Sequence, residues 1–274
     1  MLASKVRLAI CPSWVSLIGM LGWSINLFRV RGIRISLHFT FLLFLAYVCD
    51  DGWRADGMEG LLWSGATFLA FFTCVVLHEL GHSLTAMKFG IHVRRILLMP
   101  IGGMAEFERI PRRPSQELLI TIAGPAVNFA IAGLLWLAVD LPSHLGEGGA
   151  TTNLTDLGQT LLRWNLVMGL FNLVPAFPMD GGRILRALLA MRLPYLRATY
   201  WAATIAKIVT VPGAIAALFL GQYFIVAIFI FIFVAGEAEY RMVRRRDAEE
   251  AQWEAVLSRH ISTPTADDPP LLNG

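Results

Sequence analysis

The stretch LFLGQYFIVAIFIFIFVAG, residues 218–236, carries no charged side chain. A bilayer helix needs ~20 predominantly apolar residues, and further runs of this kind recur near 36–50, 61–88, 118–139, 159–177 and 199–218, with 220–236 closing the series. Lipid offers no partner to a bare N–H or C=O, so runs of this length must satisfy their backbone internally, as helices. The expected fold is therefore an all-α polytopic membrane protein of about six transmembrane helices. The composition agrees, with 56% hydrophobic residues, 16% charged residues and a mean hydropathy of +0.59. The first run is short, and the fourth ends at Pro175 and Pro178.

The segments between the runs add detail. GWSINLFRVRGIRISLHF, residues 22–39, alternates apolar and polar positions around Gly32. That is the pattern of a short strand pair, expected at the membrane surface. Upstream, LAICPSWVSLIGML has the apolarity of a signal-peptide core without a small-residue cleavage site, and Met20 offers an alternative start. Downstream, YRMVRRRDAEEAQWEAVLSRH reads as a polar, partly helical tail, and TPTADDPPLLNG as disordered. The expected organisation is an N-terminal cytoplasmic or interfacial segment, 1–35, a six-helix core, 36–236, and a cytoplasmic tail, 237–274. Lysine and arginine concentrate in the N-terminal region, in 88–117, in 178–198 and in the tail, whereas 51–60 and 140–158 hold only Arg54. By the positive-inside rule both termini are expected on the cytoplasmic side. Asn153, in NLT, then falls on the outer side as a sequon. The net charge of +3, dispersed in this way, excludes a nucleic-acid surface. Cys11, Cys49 and Cys74 lie too far apart to suggest a disulfide framework or a thiolate metal site.

One apolar run breaks the pattern. VVLHELGHSLTAMKFG places His78, Glu79 and His82 inside a membrane-length segment, where ionisable groups are costly and mark function. Residues four apart share a helix face, so His78 and His82 can direct ring nitrogens to one zinc ion at ~2 Å. Glu79 stands beside that face as a general base, the H-E-x-x-H arrangement. A catalytic zinc takes three protein ligands. Asp180, in LFNLVPAFPMDGGRILRALLA, is either the third, on irregular backbone lining a cavity, or an interfacial aspartate that starts the next helix.

HELGH at 78–82, GPAVN at 124–128 and NLVPAFPMDGG at 172–182, with HFTF at 38–41 and PIGGMAEFE at 100–108, resemble the signature set of the site-2 protease family of intramembrane zinc metalloproteases. The resemblance covers roughly residues 20–236. It implies His78, His82 and Asp180 as the ligands of one Zn2+ per chain and Glu79 as general base. It implies that Asn172 contacts the substrate or the developing oxyanion, the alternative being an interhelical hydrogen bond. Asn128 either contacts substrate or shapes helix packing. His38, His92, His144 and His260 match no ligand position.

HVRRILLMPIGGMAEFE, with Gly102 and Gly103 at its turn, reads as a hairpin. It either pairs with an unwound substrate or covers the cytoplasmic mouth of the site. The resemblance implies cleavage of single-span, membrane-tethered regulatory proteins within the lipid bilayer by a compact form without PDZ or nucleotide-binding modules, gated by a regulatory membrane partner, by a helix movement or by a prior cleavage of the substrate. A membrane zinc-binding protein or transporter without proteolysis is the alternative, and it leaves Glu79 without a task.

Overall fold

A computed structural model describes residues 24–100, 102–108, 113–140 and 153–262. Cys11, the alternative start at Met20, the apolar stretch before it, His144 and the segment 263–274 lie outside the described residues, as does the side chain of His260. The chain forms two compact units, Met1–Ile110 with Ala130–Asn165, and Pro111–Phe129 with Leu166–Gly274.

The first unit contains a four-stranded sheet in sequence order: β1 (Ser24–Val30), β2 (Ile33–His38), β3 (Val93–Met99) and β4 (Gly102–Phe107). The expected strand pair around Gly32 is present, with Arg31 and Gly32 at φ 48° and 90° making the turn. The expected hairpin is present as β3 and β4. The parallel pairing of β2 with β3, Ile35 opposite Ile96, joins the two hairpins into one sheet. Ile33, Ile35, Ile96 and Leu97 are buried. Buried Ser36 donates to Asn26 Oδ1 at 2.8 Å, which satisfies a hydroxyl that would otherwise be stranded.

Helix α1 (Phe39–Lys88) follows β2 directly. Its first run was expected from residue 36, but the strand continues to His38, whose Nδ1 accepts the N–H of Thr40 and caps the helix. The expected loop at 51–60 shrinks to a break at Asp56 and Gly57, the glycine at φ 54°. The two limbs fold back on each other. Phe41 on the first lies against Phe68 and Phe72 on the second, with ring centroids at 5.2 and 4.7 Å. A Cβ on Gly52 would lie 2.5 Å from the carbonyl oxygen of Gly60, so glycine is what permits the approach there. Helix α2 (Pro114–Leu135), extended by a π turn at Trp136–Asp140, and helix α3 (Asn153–Asn172) each contribute to both units.

The second unit adds α4 (Asp180–Ala190), α5 (Tyr195–Phe219) and α6 (Tyr223–Ser262). Helix α4 occupies the first part of the basic segment 178–198. Of the two backbone settings considered for Asp180, irregular chain or the start of the next helix, the structure has the second: Asp180 is the first residue of a regular helix. The prolines end the preceding turn as expected, since neither can donate a backbone N–H. Helices α5 and α6 are antiparallel around Gly221 at φ 70°, with Lys207 paired to Glu237 at 2.5 Å and Tyr200 against Tyr240. Ala198, Ala202, Ala203 and Ala206 are buried along α5, and small residues of this kind let membrane helices approach closely. Helix α6 continues without interruption from the apolar run into the polar tail.

Among the described residues four helices are long and apolar enough to cross a membrane: α1, Pro114–Val139, α5 and Tyr223–Ser258. The chain is thus a multi-pass membrane protein with a small sheet. The fourth expected run lies partly in α3, which is not among these four.

Candidate metal centre

The second limb of α1 carries the H-E-x-x-H residues. His78 and His82 are 3% and 7% exposed, low enough to exclude a solvated surface pair. Their Nε2 atoms are 3.1 Å apart, with the rings nearly perpendicular at 86°. Two nitrogens bound tetrahedrally to one zinc stand about 3.3 Å apart, from Zn–N bonds of ~2.05 Å. The helix therefore sets the two imidazoles at close to ligand spacing without a change of rotamer.

Glu79 is half-buried and faces the β3–β4 hairpin of the same unit. A Cβ built on Gly103 would sit 2.6 Å from Glu79 Cγ and 3.3 Å from its Oε1. The carboxylate therefore rests on the bare backbone of β4, and only glycine leaves room for it. Gly102, at φ 133°, occupies a backbone region closed to most side chains. Strand β4 is an outer strand of the sheet, and its residues are all partly exposed.

Asp180 belongs to the second unit, partly buried at the start of α4. The turn before it closes through bonds from Ala176 N to Val174 O and from Met179 N to Ala176 O. A Cβ on Gly182 would lie 2.7 Å from both Ala176 C and Phe177 N. Gly181 meets the carbonyls of Leu173 and Val174 in the same way. The paired glycines thus let the first turn of α4 pack directly on the chain that precedes it. Asn172 is the last residue of α3 and half-buried. Asn128 is fully enclosed in α2, three residues beyond the buried Pro125.

A further buried cluster was not anticipated from the sequence. Arg186 on α4 is 1% exposed along its side chain. Its Nε and Nη2 donate to Glu117 Oε1 at 2.8 and 2.5 Å, and Nη1 donates to Glu239 Oε1 at 2.6 Å. The rings of Phe177 and Tyr195 face the guanidinium at 5.2 and 5.1 Å. Burial works against the charged form, but the two carboxylates hold the pKa of Arg186 above its ordinary value. The available signal was an arginine inside the apolar turn ILRALLA. Its partners lie 53 and 69 residues away in the chain, beyond any local pattern.

The family model described as peptidase family M50 matches residues 66–162 and 147–220. Zinc metalloprotease MJ0392 of Methanocaldococcus jannaschii is 38% identical over 244 residues, which are 89% of this chain and 67% of its own. The putative zinc metalloprotease sll0528 of Synechocystis is 41% identical over 123 residues, 44% of this chain and 31% of its own. The solved structure of a site-2 protease from Methanocaldococcus jannaschii superposes with a TM-score of 0.57 at 38% identity, covering 80% of this chain and 95% of that one.

Proposed function

The chain belongs to peptidase family M50, the site-2 protease family of zinc metalloproteases, and from that membership we propose that it hydrolyses peptide bonds within or near the transmembrane segments of membrane-tethered regulatory proteins. The observation that carries the reading is the pair His78 and His82, buried in an apolar helix with their Nε2 atoms 3.1 Å apart and the Glu79 carboxyl group beside them.

His78, His82 and Asp180 are the ligands in this reading. Two imidazoles and one carboxylate form a donor set that suits catalytic zinc and leaves a fourth position open. When bound, zinc supplies the Lewis acidity that polarises a peptide carbonyl and makes water nucleophilic near neutral pH. Glu79 accepts the proton of the attacking water and returns it to the leaving amine nitrogen. The Asn172 amide donates to the carbonyl oxygen as charge develops there. Asn128 contributes to the substrate side of the site or to the packing that shapes it.

His78 lies about 15 Å along α1 from Lys88 at 1.5 Å per residue, so water reaches it from the end of the helix rather than across lipid. A substrate helix hides its carbonyls in hydrogen bonds and must unwind first. The outer edge of β4, opened by Gly102 and Gly103, is suited to pair with the extended segment by strand addition. The reading includes six spans over 36–236, flanked by the segment 1–35 and the tail 237–274, with both termini cytoplasmic. It also includes single-span substrates and a gate formed by a membrane partner, a helix movement or a prior cleavage of the substrate.

The test uses detergent-purified protein and a fluorescent single-span substrate. Glu79→Gln should keep about one zinc per chain while losing cleavage by at least ~10²-fold, the scale of a positioned general base. His78→Ala should lose both. Full cleavage by zinc-loaded Glu79→Gln would defeat the assignment.

A further inference from the structure

Arg186 is the largest side chain fully enclosed by protein among the described residues, and no step of the hydrolysis uses it. An enclosed guanidinium costs several kcal/mol of lost hydration unless carboxylates and hydrogen bonds compensate. Here all three groups of donors are engaged, and the guanidinium lies over the rings of Phe177 and Tyr195 at 5.2 and 5.1 Å. The partners come from four places in the second unit. Glu117 is in the first turn of α2, Phe177 is in the turn before α4, Tyr195 starts α5, and Glu239 is on α6. One side chain thus ties α4 to α2, to the turn before α4, to α5 and to α6.

What α4 carries is Asp180. Arg186 is six residues on, about 9 Å along the helix axis at 1.5 Å per residue. At the other end, Gly181 and Gly182 press the first turn onto the backbone of 173–177. Phe177 belongs to both contacts: its N–H side faces Gly182 and its ring faces Arg186. The helix is therefore fixed in depth at its first turn and in rotation at its second. We propose that Arg186 is a positioning residue for the zinc ligand Asp180, holding α4 so that this carboxylate meets the metal in one geometry. The inference rests on Asp180 being a ligand, as argued above. Arginine is specified because a planar fork can serve two carboxylates at once while lying against aromatic rings. A lysine ammonium can do neither.

The experiment uses the full chain in detergent with Arg186→Lys, the double variant Arg186→Met with Glu117→Gln, Glu239→Gln and Asp180→Ala. Three readouts are taken on folded material: the melting temperature, the rate of zinc transfer to a chromophoric chelator, and the visible d–d bands of Co2+ in place of zinc. Residues that orient metal ligands alter metal affinity by ~10–100-fold when replaced. Arg186→Lys and the double variant should release zinc at least ~10-fold faster and shift the Co2+ bands toward those of Asp180→Ala. Wild-type release and wild-type Co2+ bands in either folded variant would overturn the proposal and reduce the cluster to a stability element. Should both fail to fold, Glu239→Gln decides, because it keeps the Glu117 pair: faster zinc release supports the proposal and unchanged release overturns it. If Asp180→Ala itself releases zinc no faster than wild type, the ligand assignment fails and the inference falls with it. If Asp180→Ala loses zinc while the Arg186 variants keep it, only the inference fails.

Discussion

Gly103→Ala tests whether β4 sets the position of the carboxylate of Glu79, the proposed general base. The added methyl would begin 2.6 Å from Glu79 Cγ, 3.2 Å from Cδ and 3.3 Å from Oε1. Carbon atoms rest at about 3.5–4.0 Å, so the two groups must separate by roughly 1 Å. Glu79 is half-buried and has three rotatable bonds, whereas Gly103 is held by its pairing with Leu98. The carboxylate therefore moves and the strand stays. A misplacement of ~1 Å at a reacting group can cost about 10²-fold in rate, or roughly 2.7 kcal/mol of barrier. The expected result is a kcat lowered ~10²-fold with zinc content, melting temperature and KM close to wild type. Cleavage of a fluorescent single-span substrate in micelles, with metal analysis on the same sample, measures all of these. An unchanged kcat, or a loss that tracks with zinc or with KM, would refute the claim that Gly103 makes room for Glu79.

Single proline substitutions along β4, Gly102–Phe107, should impair cleavage at alternate positions if the outer edge receives the substrate, because only every second N–H points away from β3; equal effects at all positions would remove strand addition. Chelation should abolish cleavage, and stoichiometric Zn2+ should restore it. Recovery without added metal would contradict a zinc mechanism. Gly182→Ala sets a methyl 2.7 Å from the backbone atoms Ala176 C and Phe177 N, which cannot step aside as a side chain can. It should destabilise the protein by about 1–3 kcal/mol, the usual range for overpacking, and accelerate zinc release. A melting temperature equal to that of wild type would show that the turn and α4 are not in fixed contact.

The parts of the molecule legible in its sequence are those with a local period. His78 and His82 declare a shared helix face by their spacing alone, and the strands around Gly32 and Gly102 declare themselves by alternation. The parallel pairing of Ile35 with Ile96 does not, because its two strands are separated in the chain by the whole of α1, and nothing in either hairpin names the other. The break at Asp56–Gly57 was obscured for a different reason. Charged residues and glycines around it look like a loop, although the chain needs only two non-helical residues to reverse. Arg186 is the clearest case. By composition it breaks an apolar stretch, the same signal that singled out the histidines, yet its meaning depends on Glu117, Tyr195 and Glu239, none of which is near it in sequence. An ionisable residue in an apolar segment thus announces a partner without saying whether that partner is a metal or another side chain. For His78 the spacing to His82 and the adjacent Glu79 are what support the proposed metal. For Arg186 a permanently charged donor with no lone pair to offer excludes metal, and only carboxylates and ring faces remain as partners. The same side-chain chemistry that allows His78 to be a ligand rules that role out for Arg186, whose proposed part is to hold a ligand's helix in place.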